Sequence, residues 1–351
     1  FSANINPLGP SQRGLEALND QLRYISHYPD ATNDDVLNAI ADTYGMDKQQ
    51  IIVGNGAAEL LYAICRLPGY TGAFVPAPGF SEYKEALEAS NIPVRDIFYR
   101  PREDDNGKPY FEVPYLALET FAAELKGQDG RIIVFLGNPN NPDGTLLDKT
   151  HIRTVASMLK DANSLLVIDE SFIDFVGNEP LRDNDQSMRS LVNEFDNVIV
   201  VHSFTKFYAV PGLRIGAAFG NEKLISQLHQ YIPSWSVNTL AQAYTEAALN
   251  DVDYIKRTKQ ELNEERAFMY DALDVIEGIT VYPPSANFIL FKVNHDGITA
   301  NTINENLKKY NMIVRNCDTY VGLNNQWVRI AIKDQDTNIK LVEKLTDILK
   351  V

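Results

Sequence analysis

The sequence predicts an α/β protein with a large, doubly wound domain and a smaller α+β domain. Through the middle of the chain, short β-branched and apolar runs alternate with amphipathic stretches. Continuous apolar runs are typical of strands buried on both faces of a mostly parallel sheet that helices cover. After about residue 240 the pattern changes to a long helical stretch followed by shorter elements. The length of 351 residues also exceeds that of one ordinary domain.

Five apolar runs predict the strands of the large sheet, at 51–53, 72–75, 132–135, 165–168 and 198–201. Helices are predicted between them, for example at 57–67 and 81–89. The smaller domain is predicted to begin with one long helix at about 240–276. Three strands are predicted at 280–282, 287–293 and 327–332, and two further helices at about 300–310 and 336–350. We therefore predict a large domain at 25–240 and a small domain formed by 1–24 and 241–351.

Composition narrows the function classes. A formal net charge of -15 argues against nucleic acid and anionic membranes as partners, because both attract basic surfaces. The two cysteines lie far apart and predict no disulfide framework, which suits a reducing cytoplasm. No apolar run has the length of a transmembrane helix, and no signal peptide is visible at the start. The five histidines lack metal-ligand spacing, so we expect no zinc site.

Unusual polar groups follow four of the predicted strands, and ligands of open α/β sheets collect at such strand ends. After the first run comes GNGAAE at 54–59, a glycine turn that opens a helix and can bind an anion through free N–H groups. After the third run comes GNPNNPDG at 137–144, whose asparagines can donate to a ring oxygen or cap a turn. Plain loop chemistry would explain either segment taken alone.

The other two strand ends carry charged groups. Asp169 follows the fourth run, where a carboxylate could bind a metal, act as a base, accept a pyridinium proton or cap a helix. Lys206 closes the segment HSFTK after the fifth run, and Arg214 lies eight residues further on. This set offers an amine that can form an imine, next to hydroxyls and a guanidinium that can bind phosphate. A solvated surface lysine is the alternative interpretation of Lys206.

Taken in this order, the motifs resemble those of fold-type I pyridoxal-phosphate enzymes, the class I/II aminotransferase family, over nearly the whole chain. The resemblance implies the aspartate-aminotransferase fold and pyridoxal 5'-phosphate as cofactor, with Lys206 forming an imine with it. It implies that Asp169 pairs with the pyridine nitrogen, which keeps the ring able to accept electrons. Asn141 matches the donor to the ring's 3-oxygen, and Phe80 matches the aromatic residue that stacks on the ring. The matching phosphate-binding positions are Ala57, Ala58, Ser203, Thr205 and Arg214.

The resemblance extends to a partner subunit and to a substrate. Tyr28 matches a tyrosine that reaches the partner's cofactor phosphate across a two-fold homodimer, although it could instead pack locally in a turn. Arg329 matches the arginine that grips a substrate carboxylate, and Arg315 lies where histidinol-phosphate aminotransferases hold a phosphate. Either arginine could instead be an ordinary ion-pair residue. Asn6 is implied as a further substrate contact.

Four segments, at 1–9, 204–212, 234–238 and 318–323, resemble the threonine-phosphate decarboxylases of cobalamin synthesis. Aminotransferases of the histidinol-phosphate branch usually carry tyrosine where this chain has Phe172. We therefore predict decarboxylation of L-threonine O-3-phosphate to (R)-1-aminopropan-2-yl phosphate. A histidinol-phosphate or related aminotransferase is the alternative, and a cofactor-binding regulatory domain without catalysis is a third possibility. The sequence cannot decide which bond at the substrate Cα is broken.

Overall fold

The computed structural model describes residues 1–127 and 130–350. Its strands form one sheet of seven, one of four and a two-stranded hairpin. In chain order the strands are β1 (Ile51–Gly54), β2 (Tyr70–Ala77), β3 (Val94–Phe98), β4 (Arg100–Glu103), β5 (Pro109–Glu112), β6 (Arg131–Gly137), β7 (Leu165–Asp169), β8 (Val198–Ser203), β9 (Gly216–Gly220), β10 (Ile279–Val281), β11 (Phe288–Val293), β12 (Arg315–Asn316) and β13 (Trp327–Ala331).

The seven-stranded sheet has the order β1-β9-β8-β7-β6-β2-β3. Strands β8, β7, β6, β2 and β3 pair in parallel, whereas β9 runs antiparallel to both of its neighbours. The predicted mostly parallel sheet is therefore confirmed, and all five predicted strands belong to it. Strand β9 was not predicted.

Helices cover both faces of this sheet, as expected for the doubly wound fold that the sequence predicts. In chain order the helices are α1 (Gln12–Gln21), α2 (Asp34–Tyr44), α3 (Gly56–Cys65), α4 (Glu82–Ala89), α5 (Tyr115–Glu124), α6 (Lys149–Asp161), α7 (Phe204–Phe207), α8 (Glu222–Leu228), α9 (Thr239–Leu249), α10 (Val252–Asp274), α11 (Ala300–Leu307) and α12 (Gln335–Leu349). Successive side chains of β8 point to opposite faces. Val198 and Val200 accordingly join one buried apolar cluster, and Ile199 and Val201 join the other.

The four-stranded sheet is antiparallel throughout and has the order β10-β11-β13-β12. Helix α10 packs on β10 and on α12. The long helix predicted over 240–276 is instead two helices, α9 and α10, because the chain turns at Asn250 and Asp251. Asp251 caps the second helix by accepting a hydrogen bond from the N–H of Tyr254. The predicted domain boundaries stay a prediction.

The N-terminal segment, residues 1–9, forms hydrogen bonds with the small sheet and with the helical turn that follows the large sheet's strand β8. The Phe1 carbonyl accepts from the N–H of Ala331 at 2.8 Å, and the Asn6 N–H donates to the Lys206 carbonyl at 3.0 Å. The segment therefore connects the last strand of the small sheet to the helical turn after β8. Within the described ranges, no helix is long and apolar enough to cross a membrane.

Candidate active site

The predicted strand-end motifs lie side by side at one edge of the large sheet. Gly137 is paired with Asp169, and Asp169 is paired with Val201, across β6, β7 and β8. Backbone hydrogen bonds join the loops beyond the strands, since the Asn138 N–H donates to the Asp169 carbonyl at 2.8 Å and the Glu170 N–H donates to the Val201 carbonyl at 2.7 Å. Parallel pairing therefore brings residues that are distant in the sequence into one site.

A group of hydrogen-bond donors collects where β8 meets the start of α3. The buried hydroxyls of Ser203 and Thr205 lie 2.8 Å apart. Gly56 has a φ of +82°, and a Cβ at this position would clash with the guanidinium of Arg214. The glycine thus allows Arg214 to approach the helix start, where the N–H groups of the first turn have no partner within the helix. Hydroxyls, a guanidinium and a helix N-terminus together fit a phosphate group.

Lys206 lies in α7, directly after these hydroxyls. Its Nζ donates to Ser203 Oγ at 3.3 Å and lies 6.0 Å from the centroid of the Phe172 ring. Burial lowers the pKa of Lys206, the nearby carboxylate of Asp169 partly opposes this, and Arg214 lowers it further. A lowered pKa increases the share of neutral amine, the form that can attack a carbonyl group.

Asp169 is held by donors on both carboxylate oxygens. The Tyr83 hydroxyl donates to Oδ2 at 2.8 Å, while the N–H and the hydroxyl of Ser171 donate to Oδ1 at 2.9 Å and 2.6 Å. Tyr83 also stacks on Phe135 and meets Phe80 edge to face at 5.7 Å between ring centroids. Sequence reasoning missed Tyr83 and Ser171. Their nearness in sequence to Phe80 and Asp169 was the only available signal.

The carboxylate next in sequence has a different environment. Glu170 is fully buried and accepts hydrogen bonds from Asn138 Nδ2 at 2.9 Å, Ser187 Oγ at 2.6 Å and the Met188 N–H at 2.6 Å. Arg189 Nη1 lies 3.4 Å away. Glu170 is thus fully enclosed by protein groups and lies against a buried guanidinium, which indicates a structural role.

A second buried cluster lies beside β8. Asp174 Oδ2 accepts from the Tyr44 hydroxyl at 2.7 Å and lies 3.1 Å from His202 Nε2. The Arg189 guanidinium packs over the Tyr44 ring at 4.5 Å. His202 directly precedes Ser203, so this cluster supports the strand end that carries the donor group. None of its members was predicted as functional.

The two predicted substrate arginines face each other across β12 and β13, where Arg315 is paired with Arg329. Arg329 Nη1 donates to Asn141 Oδ1 and, at 3.1 Å, to the Tyr320 hydroxyl, while Nη2 donates to the Ser2 carbonyl at 2.9 Å. Burial lowers the pKa of Arg329, and the charge of Arg315 lowers it further. The predicted arginines and Asn141 are therefore brought together, and Tyr320 and Ser2 are additions to the prediction.

Each of these arginines has a buried donor that the described residues leave unpaired. The Nε atoms of Arg315 and Arg329 are buried and have no hydrogen-bond partner among the described residues. Arg315 Nη2 donates to Thr319 Oγ1 at 3.0 Å, and its guanidinium lies 5.6 Å from the Tyr320 ring centroid. Paired residues of an antiparallel ladder point to the same face of the sheet. The two open donors therefore belong to side chains that leave the sheet on one side.

Asn6 and Tyr28 have environments that differ from the rest of the site. The Asn6 amide donates to the Phe207 carbonyl at 2.8 Å, Tyr254 Oη at 2.9 Å and Thr258 Oγ1 at 3.0 Å, and its oxygen accepts from a backbone N–H. Both polar atoms of Asn6 are thus engaged within the protein, and its contact with substrate stays a prediction. Tyr28 is 80% exposed and packs beside Trp235 at 4.8 Å, and its role across a dimer also stays a prediction.

The chain matches the model of the aminotransferase class I and II family over residues 1–345 and belongs to this family. Members of the family are pyridoxal-phosphate enzymes, so the predicted fold, family and cofactor are confirmed. The donor group at α3 and β8 fits the phosphate of this cofactor, the amine of Lys206 fits its aldehyde and the carboxylate of Asp169 fits its ring nitrogen.

Curated relatives carry more than one activity. The chain is 32% identical to the threonine-phosphate decarboxylase of Salmonella typhimurium, over 99% of this chain and 90% of that protein. It is 31% identical to the histidinol-phosphate aminotransferase of Methanothermobacter thermautotrophicus, over 100% of this chain and 88% of that protein. It is also 32% identical to the adenosylcobalamin biosynthesis bifunctional protein CobDQ of Leptospira interrogans, over 99% of this chain but only 38% of that protein.

Solved structures give the same division. The histidinol-phosphate aminotransferase of Clostridium acetobutylicum superposes with a TM-score of 0.88 at 25% identity, covering 100% of this chain and 98% of that one. The L-threonine-O-3-phosphate decarboxylase of Porphyromonas gingivalis superposes with a TM-score of 0.82 at 25% identity, covering 100% and 99%. The comparisons therefore support a pyridoxal-phosphate enzyme of this family and leave two activities.

Proposed function

We propose that this protein is a pyridoxal-phosphate-dependent decarboxylase that converts L-threonine O-3-phosphate to (R)-1-aminopropan-2-yl phosphate for cobalamin synthesis. The observation that carries the proposal is the pair of buried, unpartnered Nε atoms of Arg315 and Arg329 in the described part of the chain. A buried donor without an acceptor is costly, and more so on a cation. A substrate with two anionic ends would supply an acceptor to each arginine.

The two arginines suit different anionic groups. Arg329 is fixed through Nη1 and Nη2, which leaves its planar guanidinium preoriented for a carboxylate. Arg315 is half-buried and less constrained, which suits a phosphate. Threonine phosphate has both groups, whereas histidinol phosphate has a phosphate and no carboxylate. Threonine phosphate would therefore engage both arginines at once, whereas in the aminotransferase reaction Arg329 would be left to the carboxylates of the 2-oxo acid and its amino acid.

When bound, pyridoxal phosphate supplies an aldehyde for the substrate amine and a pyridinium ring that withdraws electrons from the substrate Cα. We propose that Asp169 accepts a hydrogen bond from the pyridine nitrogen, that Phe80 stacks on the ring and that Asn141 contacts its 3-oxygen. Lys206 would hold the cofactor covalently and, once the substrate amine has replaced it, could take up and release a proton at Nζ, because burial lowers the pKa of its amine. The groups proposed to bind the phosphate are Ala57, Ala58, Ser203, Thr205 and Arg214.

Loss of carbon dioxide without a second substrate is the test of this proposal. We expect the holoenzyme to release carbon dioxide from L-threonine O-3-phosphate when no 2-oxo acid is present, because decarboxylation needs no amino acceptor. Histidinol phosphate with 2-oxoglutarate serves as the comparison reaction. Formation of glutamate from that pair, without carbon dioxide from threonine phosphate, would reject the decarboxylase in favour of the aminotransferase. The higher TM-score of the aminotransferase structure is the observation that keeps this second candidate.

We also propose that the active enzyme is a two-fold homodimer in which Tyr28 reaches the partner's cofactor phosphate. Support comes from exposed apolar side chains that contact this tyrosine or lie close to it in sequence, with Leu22 45%, Ile25 66%, Tyr28 80% and Trp235 50% exposed. Large exposed apolar patches are typical of interaction surfaces. Sedimentation of the protein should give twice the chain mass, and Ile25→Asp should shift it toward the monomer. A wild-type protein that sediments as a monomer would exclude this assembly.

A further inference from the structure

Tyr320 contacts three polar side chains at the substrate end of the site. Its hydroxyl accepts a hydrogen bond from Arg329 Nη1 at 3.1 Å and donates to Asn141 Oδ1 at 3.3 Å. Its ring lies beneath the guanidinium of Arg315, 5.6 Å from the ring centroid. The side chain is nearly buried, with 9% exposed. One tyrosine therefore joins both arginines and the asparagine of the loop after β6.

These contacts offset a charge problem. Arg315 and Arg329 occupy paired positions on neighbouring strands, where two like charges destabilise each other. The electron-rich face of an aromatic ring attracts a cation, so the Tyr320 ring stabilises Arg315. The hydroxyl occupies Nη1 of Arg329 and leaves Nε open. Tyr320 thus holds two cations near each other and leaves each of them with a free donor.

We propose that Tyr320 is a positioning residue that fixes Arg329 for a substrate carboxylate and thereby selects phosphorylated amino acids over phosphorylated amines that lack this group. The inference rests on the proposed function, because it assigns the carboxylate end to Arg329. Tyr320 acts through two different parts. The hydroxyl sets the orientation of Arg329 against Asn141, and the ring supports Arg315 at the phosphate end.

The two parts can be separated by substitution. Tyr320→Phe removes the hydroxyl and retains the ring, whereas Tyr320→Leu removes both. Tyr282→Phe is the matched control, because Tyr282 is a buried tyrosine of the same region that packs on Phe111 and Trp327. Binding to the holoenzyme is followed by stopped-flow absorbance of the cofactor, from the amplitude of the rapid change that precedes turnover. The two ligands are L-threonine O-3-phosphate and 1-aminopropan-2-yl phosphate, which differ by the carboxylate.

We expect Tyr320→Phe to weaken binding of threonine phosphate about tenfold, as loss of one hydrogen bond to a charged group implies. Binding of the carboxylate-free ligand should be unchanged. Tyr320→Leu should weaken both ligands, and Tyr282→Phe neither. Thermal unfolding of each variant confirms that it is folded. If Tyr320→Leu does not fold, Tyr320→Phe alone suffices for the test.

Three results would overturn the inference. Equal weakening of both ligands by Tyr320→Phe would reduce Tyr320 to a general packing role. Unchanged binding of threonine phosphate by that variant would remove the role in positioning and leave the proposed function intact. Failure of the unsubstituted holoenzyme to bind threonine phosphate would instead reject the proposed function, and the inference with it.

Discussion

The two ends of the site differ in how their charged groups are satisfied. In the cofactor half, formed by the loops after β6, β7 and β8, both oxygens of Asp169 accept hydrogen bonds from protein donors. In the substrate half, formed by β12, β13 and Tyr320, the Nε atoms of Arg315 and Arg329 are buried and have no partner within the described part of the chain. Protein donors thus satisfy the carboxylate of the first half, whereas we propose that the anionic groups of a ligand complete the second. We expect this difference between a site for a cofactor that stays bound and a site for a substrate that is exchanged at each turnover.

Substitution of Lys206, in the cofactor half, should have the largest effect. Lys206→Ala should abolish turnover and the borohydride-dependent attachment of cofactor to the protein, because it removes the amine that lies beside Ser203. Mass spectrometry after reduction measures the attachment. Lys259→Ala is the matched control, since burial lowers the pKa of Lys259 as well, but its Nζ donates to the carbonyls of Val176 and Glu179. Cofactor that remains attached to the Lys206 variant would break the assignment of this half.

Arg329 gives the next largest effect and tests whether the halves are independent. Arg329→Ala should weaken binding of threonine phosphate by about 2–5 kcal/mol, the cost of removing one partner of a buried charge pair. Arg329→Lys should not restore it, because an ammonium lacks the planar fork. The cofactor absorbance should stay unchanged in both variants. The exposed Arg153, which pairs with Glu194 on the surface, supplies the control Arg153→Ala. A lost cofactor signal in the Arg329 variants would mean that the two halves are not separable.

The buried cluster beside the cofactor half predicts a dependence of stability on pH. Burial alone would raise the pKa of Asp174, but His202, Arg189 and the Tyr44 hydroxyl together lower it below 3.8. A carboxyl group whose pKa is lower in the folded state stabilises the protein fully at pH values above its unfolded-state pKa. This contribution disappears as the pH falls through the folded-state pKa.

Asp174→Asn should therefore lower the free energy of unfolding at pH 7 by about 1–3 kcal/mol and flatten its decline below pH 4. Urea unfolding at several pH values measures both effects. Binding of threonine phosphate at pH 7 should be retained, since the cluster lies beneath the cofactor half. An acid limb identical to that of the unsubstituted protein would show that Asp174 is not the titrating group.

Phe172 gives the smallest expected effect, at the boundary between the halves. We expect Phe172→Tyr to lower the pH midpoint of the cofactor absorbance change by about one unit or less, because a hydroxyl donated to the ring's 3-oxygen favours its charged form. A spectrophotometric titration of both proteins measures the midpoint. A midpoint that stays constant or rises would show that position 172 does not face this oxygen, and would remove Phe172 as an argument against the aminotransferase.

The cofactor half could be predicted from sequence because its geometry follows from strand order. Parallel strands deliver their carboxyl ends to one edge, so a polar residue after each apolar run had a defined place. Asp169 and Lys206 are found at the ends of β7 and β8 for this reason. The resemblance then supplied the role of each residue, which spacing alone left open.

The remaining features depend on contacts that local sequence does not encode. Tyr83 reaches Asp169 across 86 residues, and the Ser2 carbonyl reaches Arg329 across 327. Strand β9 has the sequence GAAFG, whose weak β propensity gave no signal, and it forms because two neighbouring strands offer hydrogen bonds. Asn6 shows the same limit of local sequence, since its motif does not reveal that its amide donates to Phe207, Tyr254 and Thr258, and its contact with substrate stays a prediction.

The N-terminal segment has a consequence for exchanging specificity between relatives. Through Phe1 and Ser2 it contacts β13, and through Asn6 it is bonded to the carbonyl of Lys206. A chimera that transplants only 315–331 from another enzyme would pair foreign arginines with a native carbonyl at Ser2. Residues 1–9 and 315–331 therefore depend on each other structurally, and a chimera designed to change substrate specificity should exchange both segments together.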